Sequence, residues 1–157
     1  MFFKIRLANN NDIKKVFDLA NDTIVRQNSF HPEFINWQDH VKWFQKKIEN
    51  KDCIFYIIED QDNNFIGQVR FDKILQNQDV YLIGISIAKE FRGKGLASLV
   101  LKEVSDKLTK DYKAKKIYAY IKENNKASIK SFLKSGYNFI SKDFSGQTSC
   151  MKFEYRN

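Results

Sequence analysis

The stretch best equipped for chemistry is FRGKGLA, Phe91 to Ala97, which follows the apolar run YLIGISIA of Tyr81 to Ala88. A glycine-rich turn between a strand and a helix leaves several backbone N–H groups unpaired, aims them at one point and sets the positive end of the helix dipole behind them. Gly93 and Gly95 permit close backbone approach, and Arg92 and Lys94 add mobile positive charge. The turn therefore reads as a cradle for an anion such as a diphosphate. The same string also reads as a tight turn whose glycines serve geometry and whose basic residues serve solubility. Two other phosphate-binding solutions are excluded. No GxxxxGK[ST] string occurs; a dinucleotide fold would need GxGxxG in its first βα unit, whereas here Ser98 follows the two glycines and the unit starts beyond residue 80 of 157.

The elements that must position this turn follow from periodicity. Phe2 to Leu7 reads as a first strand and Asn11 to Ala20 as a helix capped by Asn10 or Asn11, with Ile13, Val16, Phe17 and Ala20 at helical spacing. The polar segment Asn21 to Asn36 reads as irregular. Trp37, Val41, Phe44 and Ile48 then mark one face of a helix with Asn36 as N-cap. Cys53 to Glu59 is a continuous apolar run suited to a strand covered on both faces, and Phe65, Val69 and Phe71 alternate after the turn DQDNN, which makes a hairpin. Val80 to Ala88 is a further strand, and Gly95 to Leu108 a helix with Leu96, Leu99, Val100, Val104 and Leu108 inward. Lys116 to Ile121 is again a strand, so this unit should be a right-handed crossover with parallel strands. A helix from Asn125 to Ser135, with Ile129, Phe132 and Leu133 inward, stops at Gly136. Tyr137 to Phe139 and Thr148 to Tyr155 close a mixed sheet with helices on both faces.

Composition bounds what this architecture is for. The length suits one domain, residues 1–157, and a hydrophobic content of 43% with 14 Phe, 7 Tyr and one Pro describes a packed core. The longest apolar runs fall well short of the roughly 20 residues that span a bilayer, and MFFKIRLANNND turns polar before a signal core forms. A cytoplasmic location is expected. Cys53 and Cys150 sit in apolar runs without CxxC spacing, so buried thiols are expected, with no metal and no disulfide framework. Lysine and arginine number 27 against 19 acidic residues, a net charge of +8 that suits an anionic ligand, though a solvated basic surface also explains it. No aromatic-basic motif points to nucleic acid.

At this point the residues resemble a family. The strand ISIA, the turn Arg92-Gly93-Lys94-Gly95-Leu96-Ala97, the strand KIYAYI and the later ENNKASIKSFLKSGY are similar to the GNAT superfamily of N-acetyltransferases, whose signature is Arg or Gln, two residues, Gly, one residue, then Gly or Ala. Asn125, Ser128, Phe132, Gly136 and Tyr137 fall on its second region, and the likeness runs from about residue 2 to residue 155. The resemblance implies an α/β (α+β) GNAT fold: a central mixed, mostly antiparallel sheet with one parallel, splayed strand pair. It implies acetyl-CoA as co-substrate, its pyrophosphate held by backbone from Arg92 to Ala97. The pantetheine arm would pair near Ile85 and Ile87, and Asn125, Ser128 and Phe132 would lie along it. It further implies direct transfer to a primary amine without a metal, with the Ile87 N–H as donor to the thioester carbonyl. Glu123 is the first candidate base, or a helix-start acid stabilised by the macrodipole; Ser86 is a candidate for substrate positioning, or a small packing residue. Many members carry a Tyr that protonates the thiolate where this chain has Phe132, so either Tyr137, Tyr120, Ser131 or solvent replaces it or the thiolate leaves without assistance.

The acceptor should be read by the N-terminal third. VRQNSFHPEFINWQDHVKWF, Val25 to Phe44, with the downstream IGQVRFD, resembles GNAT enzymes that acetylate nucleotide-activated amino sugars in pseudaminic-acid-type pathways, with His31 as a departure. Arg26 could pair with a diphosphate, Asn28 and Ser29 with hydroxyls, and Phe30 or Trp37 could stack on a base or sugar. Gln68 and Arg70 would line the acceptor side, Phe44 would seat its helix, and His40 reads as a satisfied packing histidine. The expected partners are a small-molecule amine, first a nucleotide-linked amino sugar, and a second copy of the chain; nucleic acid and membrane are not expected. The alternatives are a GNAT enzyme acting on a protein N-terminus, a lysine or another small amine, and a non-catalytic acyl-CoA-binding module.

Overall fold

A computed structural model describes residues 2–75 and 78–156. Among the described residues seven strands form one sheet in the order β1-β2-β3-β4-β5-β7-β6, the mixed, mostly antiparallel sheet with one parallel pair that the sequence leads one to expect. β1 (Lys4–Leu7), β2 (Cys53–Glu59) and β3 (Phe65–Lys73) pair antiparallel. β4 (Val80–Ile87) pairs parallel with β5 (Lys116–Lys122), and β6 (Asn138–Ser145) and β7 (Thr148–Arg156) add antiparallel strands beyond it. The β4–β5 ladder runs only from Val80↔Lys116 to Leu82↔Tyr118, although both strands continue past it. The chain packs as two compact units, Met1–Asp72 with Gly84–Arg92, and Lys73–Ile83 with Gly93–Asn157.

In the first unit, every residue of β2 is buried, as its unbroken apolar run predicts. Helices α1 (Ile13–Ala20) and α3 (Trp37–Glu49) cover one face of that strand, with Val16, Phe44, Cys53, Phe55 and Ile57 as the core cluster. Asn36 caps α3 as expected, its Oδ1 accepting from the Asp39 amide at 2.8 Å. The first helix departs from expectation at its start. Residues Asn10–Asp12 form a 3-10 turn capped by Asn9, because the Asn9 side chain and the Asp12 carboxylate bond each other's backbone amides reciprocally. Asp12 is also held by both Arg6 nitrogens at 2.8 Å, and Arg6 reaches Glu59 at the same distance. The segment expected to be irregular contains α2 (Thr23–Asn28), a six-residue helix that buries no residue and so carries no apolar period to read.

In the second unit, α4 (Leu96–Tyr112) and α5 (Lys126–Lys134) pack together, and Phe132 stacks edge-on to Tyr137 with a centroid distance of 4.9 Å. α4 runs four residues past the expected end and stops where Lys113 turns to φ 59, a left-handed residue that no glycine announces. Leu99 and Leu133, expected to point inward, are 52% and 50% exposed; Ser98, Leu101 and Ser105 take the buried face of α4 instead. Gly136 ends α5 at φ +103, as its position after the helix predicts. β6 extends to Ser145, well past the expected Phe139, with a register shift between Phe139 and Ser141 that leaves both Phe139 and Ile140 exposed. Both cysteines are buried and free.

Candidate functional site

The glycine turn keeps the geometry its sequence implies. After β4, a 3-10 turn at Lys89–Phe91 leads to Gly93 and Gly95, both at φ +74, and α4 starts at Leu96. Gly95 occupies the N-cap position, which has no side-chain cap, so the first amides of a 17-residue helix are left without a side-chain acceptor. A Cβ added to either glycine would meet nothing within 4 Å, so each stands against open space where a ligand oxygen could approach. These features fit a diphosphate. Ser98 Oγ donates to the Gly95 carbonyl at 3.0 Å and braces the turn from the helix side.

On the strand side, Ile85 and Ser86 are partly exposed and Ile87 is buried. The Ser86 hydroxyl accepts from Gln68 Nε2 at 3.2 Å, while the Gln68 amide oxygen is buried without a hydrogen-bond partner among the described residues. Gly67 is needed here: a Cβ on it would stand 2.2 Å from the Ser86 carbonyl and 3.1 Å from the Ile87 Cα, so this stretch of β4 depends on a bare backbone opposite it. In the second unit, Glu123 lies on the turn after β5 with a loose ion pair to Lys142 at 3.5 Å. Asn125 caps α5, its Oδ1 accepting from the Ser128 amide at 3.3 Å.

Several expected residues are committed elsewhere. Arg26 donates from Nε to the Ala20 carbonyl at 2.6 Å and from Nη1 to the His31 carbonyl at 2.7 Å, which ties its guanidinium to the backbone of its own loop. Arg70 donates to Asp72 at 3.0 Å and lies over the Trp43 ring, with Lys47 on the other Asp72 oxygen at 2.7 Å. Each arginine thus spends part of its guanidinium on protein partners. Tyr137 is 1% exposed and shares a 2.8 Å hydrogen bond with the Ser105 hydroxyl; burial pushes its phenol well above the usual tyrosine range. That corrects the expectation of Tyr137 as proton donor, since the hydroxyl is sealed in a core. Tyr120 is only half buried, and Ser131 Oγ donates to the Ala127 carbonyl at 3.0 Å. Phe132 is a core residue at 3% exposure.

Among the acceptor-side residues, Trp37 stays 42% exposed while it meets the Phe17 ring edge-to-face, and Phe34, which meets the same Phe17 ring, is 75% exposed. Phe30 and Asn28 are half buried, and Ser29 Oγ accepts from the His31 amide at 3.2 Å. His40 is the packing histidine expected, 2% exposed with Nε2 3.0 Å from the Ile13 carbonyl; burial lowers its pKa. The sequence reading missed Asp22, which joins Arg92 to the start of α2, because an aspartate before a short polar helix carries no periodic signal. A surface concavity of about 650 Å³ lined by Asp106, Lys110, Lys113, Lys115, Tyr155 and Arg156 lies at the C-terminal end of α4. At about 1.5 Å per residue, its lining residues from Asp106 to Lys113 lie roughly 17 to 27 Å along the helix from Gly95, so it is not part of this site.

Comparison with known proteins bears on the family and the fold. Residues 3–138 match the acetyltransferase (GNAT) domain family. The spermine/spermidine N(1)-acetyltransferase of Bacillus subtilis (strain 168) is 34% identical over 83 residues, 52% of this chain and 55% of that protein, so the match spans about half the length of that relative. The mycothiol acetyltransferase of Mycolicibacterium gilvum is 25% identical over 126 residues, 73% of this chain and 40% of that protein. In fold, the chain is similar to a spermidine N-acetyltransferase from Vibrio cholerae in complex with CoA and spermine, with TM-score 0.87 and 19% identity over 98% of this chain and 95% of that one. Among the described residues, no helix is long and apolar enough to cross a membrane. With the signature turn in place and the match covering most of its length, the chain belongs to the acetyltransferase (GNAT) domain family.

Proposed function

We propose that residues 1–157 act as one acetyl-CoA-dependent N-acetyltransferase domain whose acceptor is the primary amine of a small molecule. The observation that carries this reading is the uncapped N-terminus of α4 behind two left-handed glycines, an anion cradle that belongs to a family of acetyltransferases. Bound acetyl-CoA supplies an activated thioester, whose acetyl carbon passes to the amine as the C–S bond breaks. The amides of Gly93 to Ala97 would hold the pyrophosphate, and Asn125 and the backbone near Ile85 would hold the pantetheine arm. The Ile87 N–H donates to the carbonyl oxygen as charge builds there. Glu123 takes the proton that an aliphatic ammonium, with a pKa of about 10.4, must lose before it attacks. With Phe132 in the core and the Tyr137 hydroxyl engaged, Tyr120 or solvent returns a proton to the thiolate. Glu123→Gln should lower kcat by roughly 10²- to 10⁴-fold while leaving acetyl-CoA affinity unchanged, checked by steady-state kinetics beside calorimetry.

For the acceptor, an aliphatic polyamine is supported by the names of the relatives and by the engagement of Arg26 and Arg70, which leaves exposed aromatic faces at Trp37 and Phe34 that suit a cation. A nucleotide-linked amino sugar is the second reading, supported by the resemblance of residues 25–44 and by the net charge of +8, which attracts an anionic acceptor. The experiment is thiol release from acetyl-CoA with spermine, spermidine, UDP-linked 4-amino sugars, plain amino sugars and lysine peptides. Turnover of spermine or spermidine alone supports the first reading, and turnover confined to the UDP-linked sugars supports the second. Tight acetyl-CoA binding with no turnover of any amine makes the chain a non-catalytic acyl-CoA-binding module.

A further inference from the structure

Arg92 opens the signature hexapeptide, yet two nitrogens of its guanidinium are bonded within the first unit. Nε donates to the Ile87 carbonyl at 2.8 Å, and Nη2 donates to Asp22 Oδ1 at 2.9 Å, across 70 residues of sequence. Both side chains are only about a quarter exposed, 27% and 23%. The same Asp22 oxygen accepts from the amides of Ile24 at 3.0 Å and Val25 at 3.1 Å, which makes Asp22 the N-cap of α2. One carboxylate therefore joins the start of α2 to the last residue of β4. α2 needs such a tie: it has six residues, far fewer than the roughly 12 to 15 an isolated helix requires, and it buries none of them. Further polar bonds hold the same segment, from Arg26 to the Ala20 and His31 carbonyls and between Asn21 and Ile35.

We propose that Arg92 is a positioning residue: its side chain ties the N-terminus of α2 to the end of β4 and so holds the acceptor-side segment 22–31, while the cofactor is served by the backbone of the turn and not by this guanidinium. This rests on the acetyltransferase reading above for its functional meaning, and on the hydrogen bonds alone for the tether itself. Charge-assisted bonds of this kind are roughly twice as strong as neutral ones, and the pair is partly shielded from solvent. Burial pushes the Asp22 carboxyl up, but the Arg92 guanidinium and the two amides outweigh it and hold its pKa below the ordinary range.

The test compares wild type with Asp22→Asn and Arg92→Gln. Asparagine caps a helix as well as aspartate does, so Asp22→Asn removes the ion pair and leaves the cap. Four quantities are read: amide hydrogen exchange across residues 23–28, acetyl-CoA Kd by calorimetry, and KM and kcat for whichever amine the wild type acetylates. The expected result in both variants is exchange at least fivefold faster, Kd within threefold, KM raised about tenfold and kcat within threefold, with unchanged far-UV circular dichroism. Unchanged exchange overturns the tether. A tenfold loss of acetyl-CoA affinity in Arg92→Gln with exchange unchanged makes Arg92 a cofactor contact instead. Faster exchange with unaltered KM overturns the acceptor-positioning role. If the wild type neither binds acetyl-CoA nor turns over any amine, the acetyltransferase reading fails, and the exchange comparison still decides the tether.

Discussion

At the residue scale, Gly95 and His40 show how one position can be read through its chemistry. Gly95 holds φ +74 at the N-cap of α4, a conformation that costs an L-residue about 1–2 kcal/mol. Because a Cβ there meets no protein atom within 4 Å, Gly95→Ala keeps the fold but strains the turn and crowds the approaching ligand. Acetyl-CoA Kd should rise at least tenfold by calorimetry, while the thermal midpoint falls by only a few degrees. His40 is buried with its ring bonded to the Ile13 carbonyl, and its folded pKa is depressed below 6.5, with burial as the main cause. Depression means that the unfolded chain binds the proton more readily, so the stability this group contributes is present above pH 6.5 and is lost as pH falls below it. Urea midpoints should drop between pH 7 and pH 5, and His40→Gln should remove most of that drop. The packing role of His40 was legible from its spacing to Trp37 and Phe44. The engagement of Arg26 and Arg70 was not, because their acceptors are two carbonyls brought near by a loop and a carboxylate two residues along a strand.

At the element scale, β3 and β4 test how much a strand depends on one glycine. The Gly67 site would put a Cβ 2.2 Å from the Ser86 carbonyl, and backbone cannot move aside as a flexible side chain can. Gly67→Ala should therefore lower unfolding stability by about 1–3 kcal/mol, the usual cost of overpacking, and weaken acetyl-CoA binding by displacing the Ser86–Ile87 stretch. Gly84→Ala is the control: its Cβ would meet the end of the Arg70 side chain at 3.4 Å, which can shift, so its urea midpoint should stay near wild type. Strands were legible because burial follows composition: the run from Cys53 to Glu59 is buried throughout, as its apolar residues require. Helix faces were legible only in part. Leu99 and Leu133 are apolar and exposed while Ser98 and Ser105 are buried, because which side of α4 and α5 meets the sheet is set by packing, not by residue type. α2 was illegible for a related reason: hydrogen bonds hold it, and they leave no hydrophobic period.

At the scale of the whole molecule, the charge of +8 has a consequence with opposite signs for the two acceptor classes. A positive field speeds the approach of anions and slows that of polycations, and salt screens both effects within a Debye length of about 8 Å at physiological ionic strength. Raising salt from 50 to 500 mM should slow acetyl-CoA association, measured by stopped flow. The same change should raise kcat/KM for spermine if a polyamine is the acceptor, and lower kcat/KM if the acceptor is a nucleotide-linked sugar. The amino-acid sequence by itself determined the family, the glycine turn that opens α4, the parallel pairing of β4 with β5 and the buried β2 strand. Each of these depends on contiguous residues whose spacing carries the signal: two glycines at a helix start, a strand on either side of a helix, six apolar residues in a row before Glu59. Only the tertiary structure decided that Tyr137 lies in a core against Ser105, that Arg26 and Arg70 are bound internally, and that Arg92 answers to Asp22. Tyr137 and Arg92 find their partners 32 and 70 residues away, and Arg26 and Arg70 find theirs through loop closure and strand packing. Folding sets such distances, and no local pattern of residue types encodes them.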